Sequence, residues 1–482
     1  MLVNILVFSP FVIALIMLLL PKSILKISSL IVSFGLLAIV GYSYILLKSN
    51  PLSHDLSSSY VWINSMNANW SFALDGFSLL MVFLTCIVSA LIFATIRSTH
   101  NYNKTFYALA WLMIGAILGV FTTKDGFVFY VLWEVALIPI YFICLIWGGE
   151  NKAKITFKFF AYTLFGSLLM LASLLYLYQN SLNGWDINAL YSAGRSMSLV
   201  EQNFVFWGIF LAFAIKLPIF PFHTWQPDTY TIAPTQGTML LSGLMLKMGT
   251  YGIARWLLPM VPDAVAENSH YAIVLSVIGV VYASCIAMVQ KDLKRMMAWA
   301  SIAHVGLISA GLFVANTSGI NGAFLQMLSH GINVVACFFV VDVIYERTKT
   351  NEMKALGGIR GVAPIFGFFF LIVVLANIAM PLTNGFAGEF LLLNGVFEYQ
   401  KYIAALAAIS VVLSAAYMLK AYQKVMLGET KEATISFYDL LTWEKTVFVS
   451  MTLLVFIFGL FPNAIIQLLE TNVLVLLATV AQ

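Results

Sequence analysis

The chain has 482 residues, 61% of them hydrophobic and 10% charged, with 25 Lys+Arg against 21 Asp+Glu and a formal net charge of +4. Soluble proteins carry about 25% charged residues, so this composition excludes a soluble multidomain enzyme, and its hydrophobicity excludes intrinsic disorder. The mean hydropathy of +0.93 makes lipid the solvent for most of the surface, and the scattered basic residues do not form the clustered stripe that nucleic acid requires.

The first stretch, MLVNILVFSPFVIALIMLLLPKS, lacks the basic head and small-residue cleavage site of a secretory signal and reads as a membrane helix. Apolar spans follow in chain order at 2–21, 27–47, 77–97, 105–123, 125–147, 155–180, 203–223, 229–258, 272–289, 297–315, 322–346, 362–394, 401–426 and 444–468. The expected fold is therefore an all-α polytopic membrane protein with about 14 transmembrane helices. Odd-numbered loops and their helix ends hold about 18 of the Lys and Arg residues and even-numbered loops about 5, which puts the odd loops on the cytoplasmic (or matrix) side and both termini on the outer side.

Four ionisable residues fall inside these spans: Glu134 in FVFYVLWEVALIPIYF, Lys216 in FAIKLPIFPFHTW, Lys247 in GTMLLSGLMLKMGTYGIARW and Glu389 in PLTNGFAGEFLLLNG. A charge at the bilayer centre costs about 2.5–3.5 kcal/mol even on the lenient insertion scale. Any one of them could be a buried ion pair that fixes helix packing; two acids and two bases together point to a charge or proton path. His304 and His330, within helices, are candidate relays, as is His223, which shares a face with Lys216 two turns earlier if that helix continues. Asp342, near a helix end, reads as solvated or capped. Beyond the path the spans show no excess of deep polar residues. Cys86, Cys144, Cys285 and Cys337 read as small buried hydrophobes. No metal-ligand spacing and no nucleotide-binding motif occurs, so neither metal nor cofactor is expected in this chain.

Two spans contain helix breakers. KLPIFPFHTWQP carries Pro218, Pro221 and Pro227, and AMPLTNGFAGEF carries Pro381 before Gly385 and Gly388. Freed backbone groups at membrane depth are tolerated only against protein or a water cavity. Each break lies in the fourth element of a five-helix block, spans 4–8 and 9–13, and an odd block length inverts the second block relative to the first, a transporter signature. The expected organisation is 1–104 for the first three helices, 105–258 and 272–426 for the two repeats, and 427–482 for helix 14.

The segments LWEVALIPIYF, FAIKLPIFPFHTWQPDTYTIAPTQGTMLLSGLMLKMGTYGIARW, QKDLKRMMAWASIAHVGLI, MLSHGIN, VDVIYERTKT and ANIAMPLTNGFAGEF together resemble the antiporter-like membrane subunits of respiratory complex I, from about residue 70 to 425. YERTKT and the acid Glu389, where other branches of the family carry a lysine, favour one branch. The resemblance implies a proton-translocating subunit of an NADH:quinone oxidoreductase in a bacterial inner membrane, with Glu134, Lys216, Lys247 and Glu389 as the proton path. It implies the other membrane-arm subunits as partners, with NADH, FMN, iron–sulfur clusters and quinone held by partner subunits. A subunit of a multi-subunit Na⁺/H⁺ antiporter shares the fold and is the alternative. The family's W-L-P-D-A-H is WQPDTY here, so Thr229 and Tyr230 replace its alanine and histidine, and that histidine's role does not transfer. In the expected mechanism Glu134 holds the proton on Lys216. Loosening that pair sends the proton to Lys247, then through His304 or His330 to Glu389.

Overall fold

The computed structural model describes residues 1–51, 53–182 and 184–480. In chain order the elements are α1 (Leu2–Leu19), α2 (Leu25–Ser49), β1 (Ser57–Ile63), β2 (Ala68–Ala73), α3 (Gly76–Thr95), α4 (Lys104–Thr122), α5 (Gly126–Trp147), α6 (Lys152–Gln179), α7 (Ile187–Ser196), α8 (Leu199–Lys216) and α9 (Gln226–Ile232). Then come a helical run over 235–260, α10, and α11 (Pro262–Val289), α12 (Leu293–Phe313) and α13 (Thr317–Thr348). After a single helical turn at Ile359–Val362 follow α14 (Pro364–Asn377), α15 (Asn384–Tyr399), α16 (Lys401–Met426), α17 (Thr442–Leu460) and α18 (Pro462–Val480). Among the described residues 13 helices are long and apolar enough to cross a membrane, as the composition requires.

The helices begin where short polar side chains accept from otherwise orphaned backbone N–H groups. Asp75 caps α3 through Ser78 N at 3.0 Å, Asn316 caps α13 through Gly319 N at 2.7 Å, and Asp125 caps α5 through Phe127 N at 2.9 Å and Val128 N at 3.0 Å.

Four expected spans are divided or cut short by several residues, and the span expected from 272 begins ten residues earlier, at Pro262. The span expected at 203–223 stops at Lys216, so Pro218, Pro221 and His223 lie beyond the helix end. Pro218 has no N–H to continue the ladder, and its ring clashes with the preceding turn. The span expected from 229 likewise begins after the short α9, at Thr235. The twelfth span is two helices separated by 378–383. The expected helix 444–468 is divided into α17 and α18 at Phe461, immediately before Pro462. The expected loop after α2 also contains an antiparallel hairpin, with Tyr60 opposite Trp70 and Ser58 opposite Phe72. Its aromatic side chains meet Phe8 of α1, with ring centroids 6.0 Å from Trp70 and 5.7 Å from Phe72.

The chain forms two compact units. One comprises Met1–Leu217, Leu244–His270 and the chain from Gln467 on; the other comprises Pro218–Gly243 and Tyr271–Ile466. In lipid, helices associate through close packing and interhelical hydrogen bonds, since burying apolar surface gains little there. The first unit shows both. Gly166 brings α6 so close to α8 that a Cβ there would lie 3.1 Å from the Ala212 Cα. The buried Trp111 of α4 donates through Nε1 to Ser29 Oγ of α2 at 3.1 Å. In the second unit α13 is the central helix, buried over nearly its whole length and packed on α12, α15, α14 and α17. Gly388 of α15 lets that helix touch α13: a Cβ there would meet the Gln326 backbone N at 2.9 Å.

Candidate functional site

In the first unit Lys216 is the last residue of α8 and is 1% exposed. Its Nζ lies 4.9 Å from the centroid of the Trp133 ring on α5, and the Glu134 carboxylate bears on it electrostatically. Nζ makes no hydrogen bond within the protein among the described residues, so the ring face, the carboxylate and the partial negative charge of the α8 C-terminus hold the ammonium. Glu134 itself is half-buried, and Ser167 of α6 sits beside its carboxylate and beside the Tyr130 hydroxyl one turn earlier.

Lys247 is also 1% exposed. It lies on an α-helical stretch, Leu246–Gly252, between two π-helical turns, Leu241–Met245 and Ile253–Leu257. A π turn takes in an extra residue and shifts the backbone register, re-aiming side chains and loosening carbonyls, and such turns concentrate at functional sites. The same stretch packs on the end of α8: a Cβ on Gly249 would lie 2.7 Å from Leu217 Cγ. The two lysines therefore belong to adjoining segments of one unit.

The second unit holds the remaining sequence-identified residues. Glu389 on α15 is 4% exposed and lines a small cavity with His304, Ser284, Ser410, Ser414 and Tyr417. The His304 and His330 ring centroids are 5.9 Å apart, and His330 Nε2 is 3.1 Å from Ser301 Oγ. These rings and hydroxyls can accept and donate protons in turn. His223 does not share a helix face with Lys216, because the helix ends between them. It lies instead in a ring cluster of Phe220, Tyr282 and Trp299, with centroids 5.7, 5.2 and 5.6 Å away.

Other expectations are corrected. Cys86, Cys144 and Cys337 are buried, but Cys285 on α11 is exposed, because that face of the helix is not covered by protein. Asp342 is 4% exposed, which removes the solvated half of its expected role and leaves the capped one. Deep polar residues are plentiful: Gln226, Gln236, Asn321, Gln326, Asn333 and Asn384 are all buried. Two positions on α13 tend the break between α14 and α15. Asn333 Nδ2 donates to the Ala376 carbonyl at 3.1 Å and Ser329 Oγ to the Asn384 carbonyl at 2.6 Å. At the other break Lys294 of α12 donates to the Thr231 and Ala233 carbonyls at 3.1 and 2.6 Å. Sequence reading missed Asn333 and Ser329 because a neutral polar side chain in a long apolar run carries little signal, and it counted Lys294 only as a basic helix end; the spacing Gln326, Ser329, Asn333, about one helical face, was the available clue. No group of three or more His, Cys, Asp and Glu side chains able to hold a metal ion occurs among the described residues.

Interrupted membrane helices with amines and carboxylates buried beside the interruptions define a multi-pass, antiporter-type membrane protein. The family described as NADH:quinone oxidoreductase/Mrp antiporter, transmembrane, matches residues 123–414, and the chain belongs to it. It is 39% identical to NADH-quinone oxidoreductase subunit M of Rickettsia bellii (strain RML369-C), over 91% of this chain and 90% of that protein. It is 35% identical to NADH-ubiquinone oxidoreductase chain 4 of Marchantia polymorpha, over 86% of this chain and 83% of the other. Among solved structures a chain of respiratory complex I from Thermus thermophilus with bound NADH matches with a TM-score of 0.91 and 29% identity over 100% of both chains. A chain of the Mrp complex from Dietzia sp. DQ12-45-1b shares the fold, with a TM-score of 0.84 at 19% identity over 99% of this chain and 52% of that one.

Proposed function

We propose that the chain is a proton-translocating membrane subunit of an NADH:quinone oxidoreductase. It moves protons along Glu134, Lys216, Lys247, the His304–His330 pair and Glu389. The observation that carries this reading is the pair of lysines, each 1% exposed, with Lys216 Nζ 4.9 Å from the Trp133 ring centroid and under the electrostatic influence of Glu134. Two buried amines are a costly arrangement for a scaffold and a useful one for passing protons. The Glu134 charge and the Trp133 ring keep the proton on Lys216. When that contact loosens, desolvation favours its departure toward Lys247, and Glu389 is the releasing acid. The chain supplies no redox step. Partner subunits of the membrane arm pass on the energy, and NADH, FMN, iron–sulfur clusters and quinone belong to other subunits of the assembly.

The organisation that fits this role is a pair of inverted five-helix repeats, 105–258 and 272–426, after the N-terminal helices in 1–104 and before the C-terminal segment 427–482. The chain would lie in a bacterial plasma membrane with both termini outside, as the Lys/Arg bias of the loops indicates. In support, the spans interrupted at Lys216 and at Asn377 occupy the same place in the two blocks.

A second reading, a subunit of a multi-subunit Na⁺/H⁺ antiporter, is favoured by the family description and the Mrp fold match. Relatives with 33–39% identity that carry oxidoreductase names favour the first. Copurification through a tag separates them: NADH-oxidising and quinone-binding subunits are expected, and an assembly without them would establish the antiporter. Lys247→Ala in reconstituted vesicles is expected to abolish proton pumping with assembly intact, and normal pumping by that variant would refute the path.

A further inference from the structure

The first unit contains a line of polar side chains that the path above does not use. Tyr251 follows Lys247 by four residues on the same α-helical stretch, so the two share a helix face. The Tyr251 hydroxyl is 3.2 Å from Ser78 Oγ, and Ser78 Oγ donates to Asp75 Oδ1 at 3.0 Å. The other carboxylate oxygen of Asp75 pairs with Lys124 Nζ at 2.9 Å and with the Arg255 guanidinium. Ser78 and Tyr251 are 0% exposed, whereas the Asp75 side chain is 23% exposed. The line thus runs from the buried interior to the end of the unit where the hairpin lies. One bond is out of line: the Tyr251 O–H donates to the Phe121 carbonyl at 2.8 Å, away from Ser78.

We propose that Tyr251, Ser78 and Asp75 form a gated proton wire that connects Lys247 to the surface at the hairpin end, closed while Tyr251 donates to Phe121 and opened when its O–H turns to Ser78. The proposal rests on the reading that Lys247 carries a transported proton. In the open state the Lys247 ammonium gives a proton to the Tyr251 oxygen, the Tyr251 O–H proton moves to Ser78 Oγ, and the Ser78 O–H proton moves to Asp75 Oδ1. One N–H and two O–H bonds break and three O–H bonds form, leaving a neutral amine and a neutral acid. Asp75 then loses its proton to water at its exposed edge, and Lys124 and Arg255 pair again with the carboxylate. Capping α3 requires only the Ser78 N–H on Asp75; the two hydroxyl contacts extend the cap into the core and give it a second use.

The test uses the whole assembled complex in proteoliposomes and reads protons moved per NADH oxidised. Tyr251→Phe and Ser78→Ala each remove one hydroxyl and are expected to lower this ratio at least about twofold, with Glu389 carrying the rest; positioned proton donors and acceptors contribute far more than that to transfer rates. Ser78→Thr, which keeps a hydroxyl, is expected to recover the ratio. Tyr191→Phe removes a hydroxyl that donates to the Arg255 carbonyl outside the line, and is expected to keep the wild-type ratio. If Lys247→Ala stops pumping while Tyr251→Phe and Ser78→Ala pump at the wild-type ratio, the wire is overturned and the path through Lys247 stands. An equal loss in Tyr191→Phe would reduce the line to a structural role and overturn the wire as well. Normal pumping by Lys247→Ala would remove the path and the wire together.

Discussion

The Lys216 ammonium lies over the ring of Trp133, 4.9 Å from its centroid, and Trp133 adjoins Glu134 in the chain. Trp133 thus gives the last residue of α8 an aromatic face, and the neighbouring Glu134 acts on the same ammonium electrostatically. If the two charges act as a unit, Glu134→Gln and Lys216→Met should each lower proton pumping by about tenfold or more. The double variant should be no worse than the more damaged single one, because residues that act together are non-additive. Dye-quench measurements on vesicles containing assembled complex check this; independent, multiplying losses would show that the two residues work separately.

Arg347 and Glu444, 1% and 0% exposed, form a two-armed ion pair with contacts of 3.2 and 2.6 Å. Arg347 Nε also donates to the Tyr438 carbonyl at 2.9 Å, and the guanidinium stacks on the Tyr438 ring at 4.2 Å. Removing one partner leaves an uncompensated buried charge, so Arg347→Met is expected to destabilise by roughly 3–5 kcal/mol. Arg347→Met combined with Glu444→Leu should recover part of that loss. Thermal denaturation of the purified complex decides it, and an unaltered midpoint in the single variant would count against the pair.

Gly388 sets the distance between α15 and α13. A Cβ there would lie 2.9 Å from the Gln326 backbone N and 2.7 Å from its side-chain oxygen, too close for the helices to stay in place. Gly388→Ala is expected to cost about 1–3 kcal/mol through overpacking, and to disturb Glu389, the next residue. Heat-inactivation rates of assembled complex should rise relative to wild type.

Lys294 closes the end of α9 by donating to the Thr231 and Ala233 carbonyls. Without its ammonium the buried Ala233 carbonyl and the part-buried Thr231 carbonyl lose a donor, at about 1–3 kcal/mol for a buried group. Lys294→Met should raise amide hydrogen exchange locally over 229–234 while α13 stays protected. Uniform exchange across the second unit would point instead to global loosening.

How much of this was legible in advance follows from the physics of each element. Apolar runs of helical length fix the spans because lipid leaves the backbone no partner but itself, and Pro218 and Pro381 announced both breaks. Lys216, Lys247, Glu134 and Glu389 were visible because a charge in an apolar run costs too much to be accidental. The division of the last span at Pro462 could have been read and was missed, because its flanks are equally apolar.

The π turns on either side of Lys247, the ring beneath Lys216 and the line from Tyr251 to Asp75 depended on the tertiary structure. Each joins residues far apart in the chain: Ser78 meets Tyr251, and Asp75 meets Arg255. Hydropathy reports how much a segment prefers lipid to water and says nothing of which side chain it faces. That choice is made by packing and hydrogen bonds between helices, and so appears only once the helices are assembled.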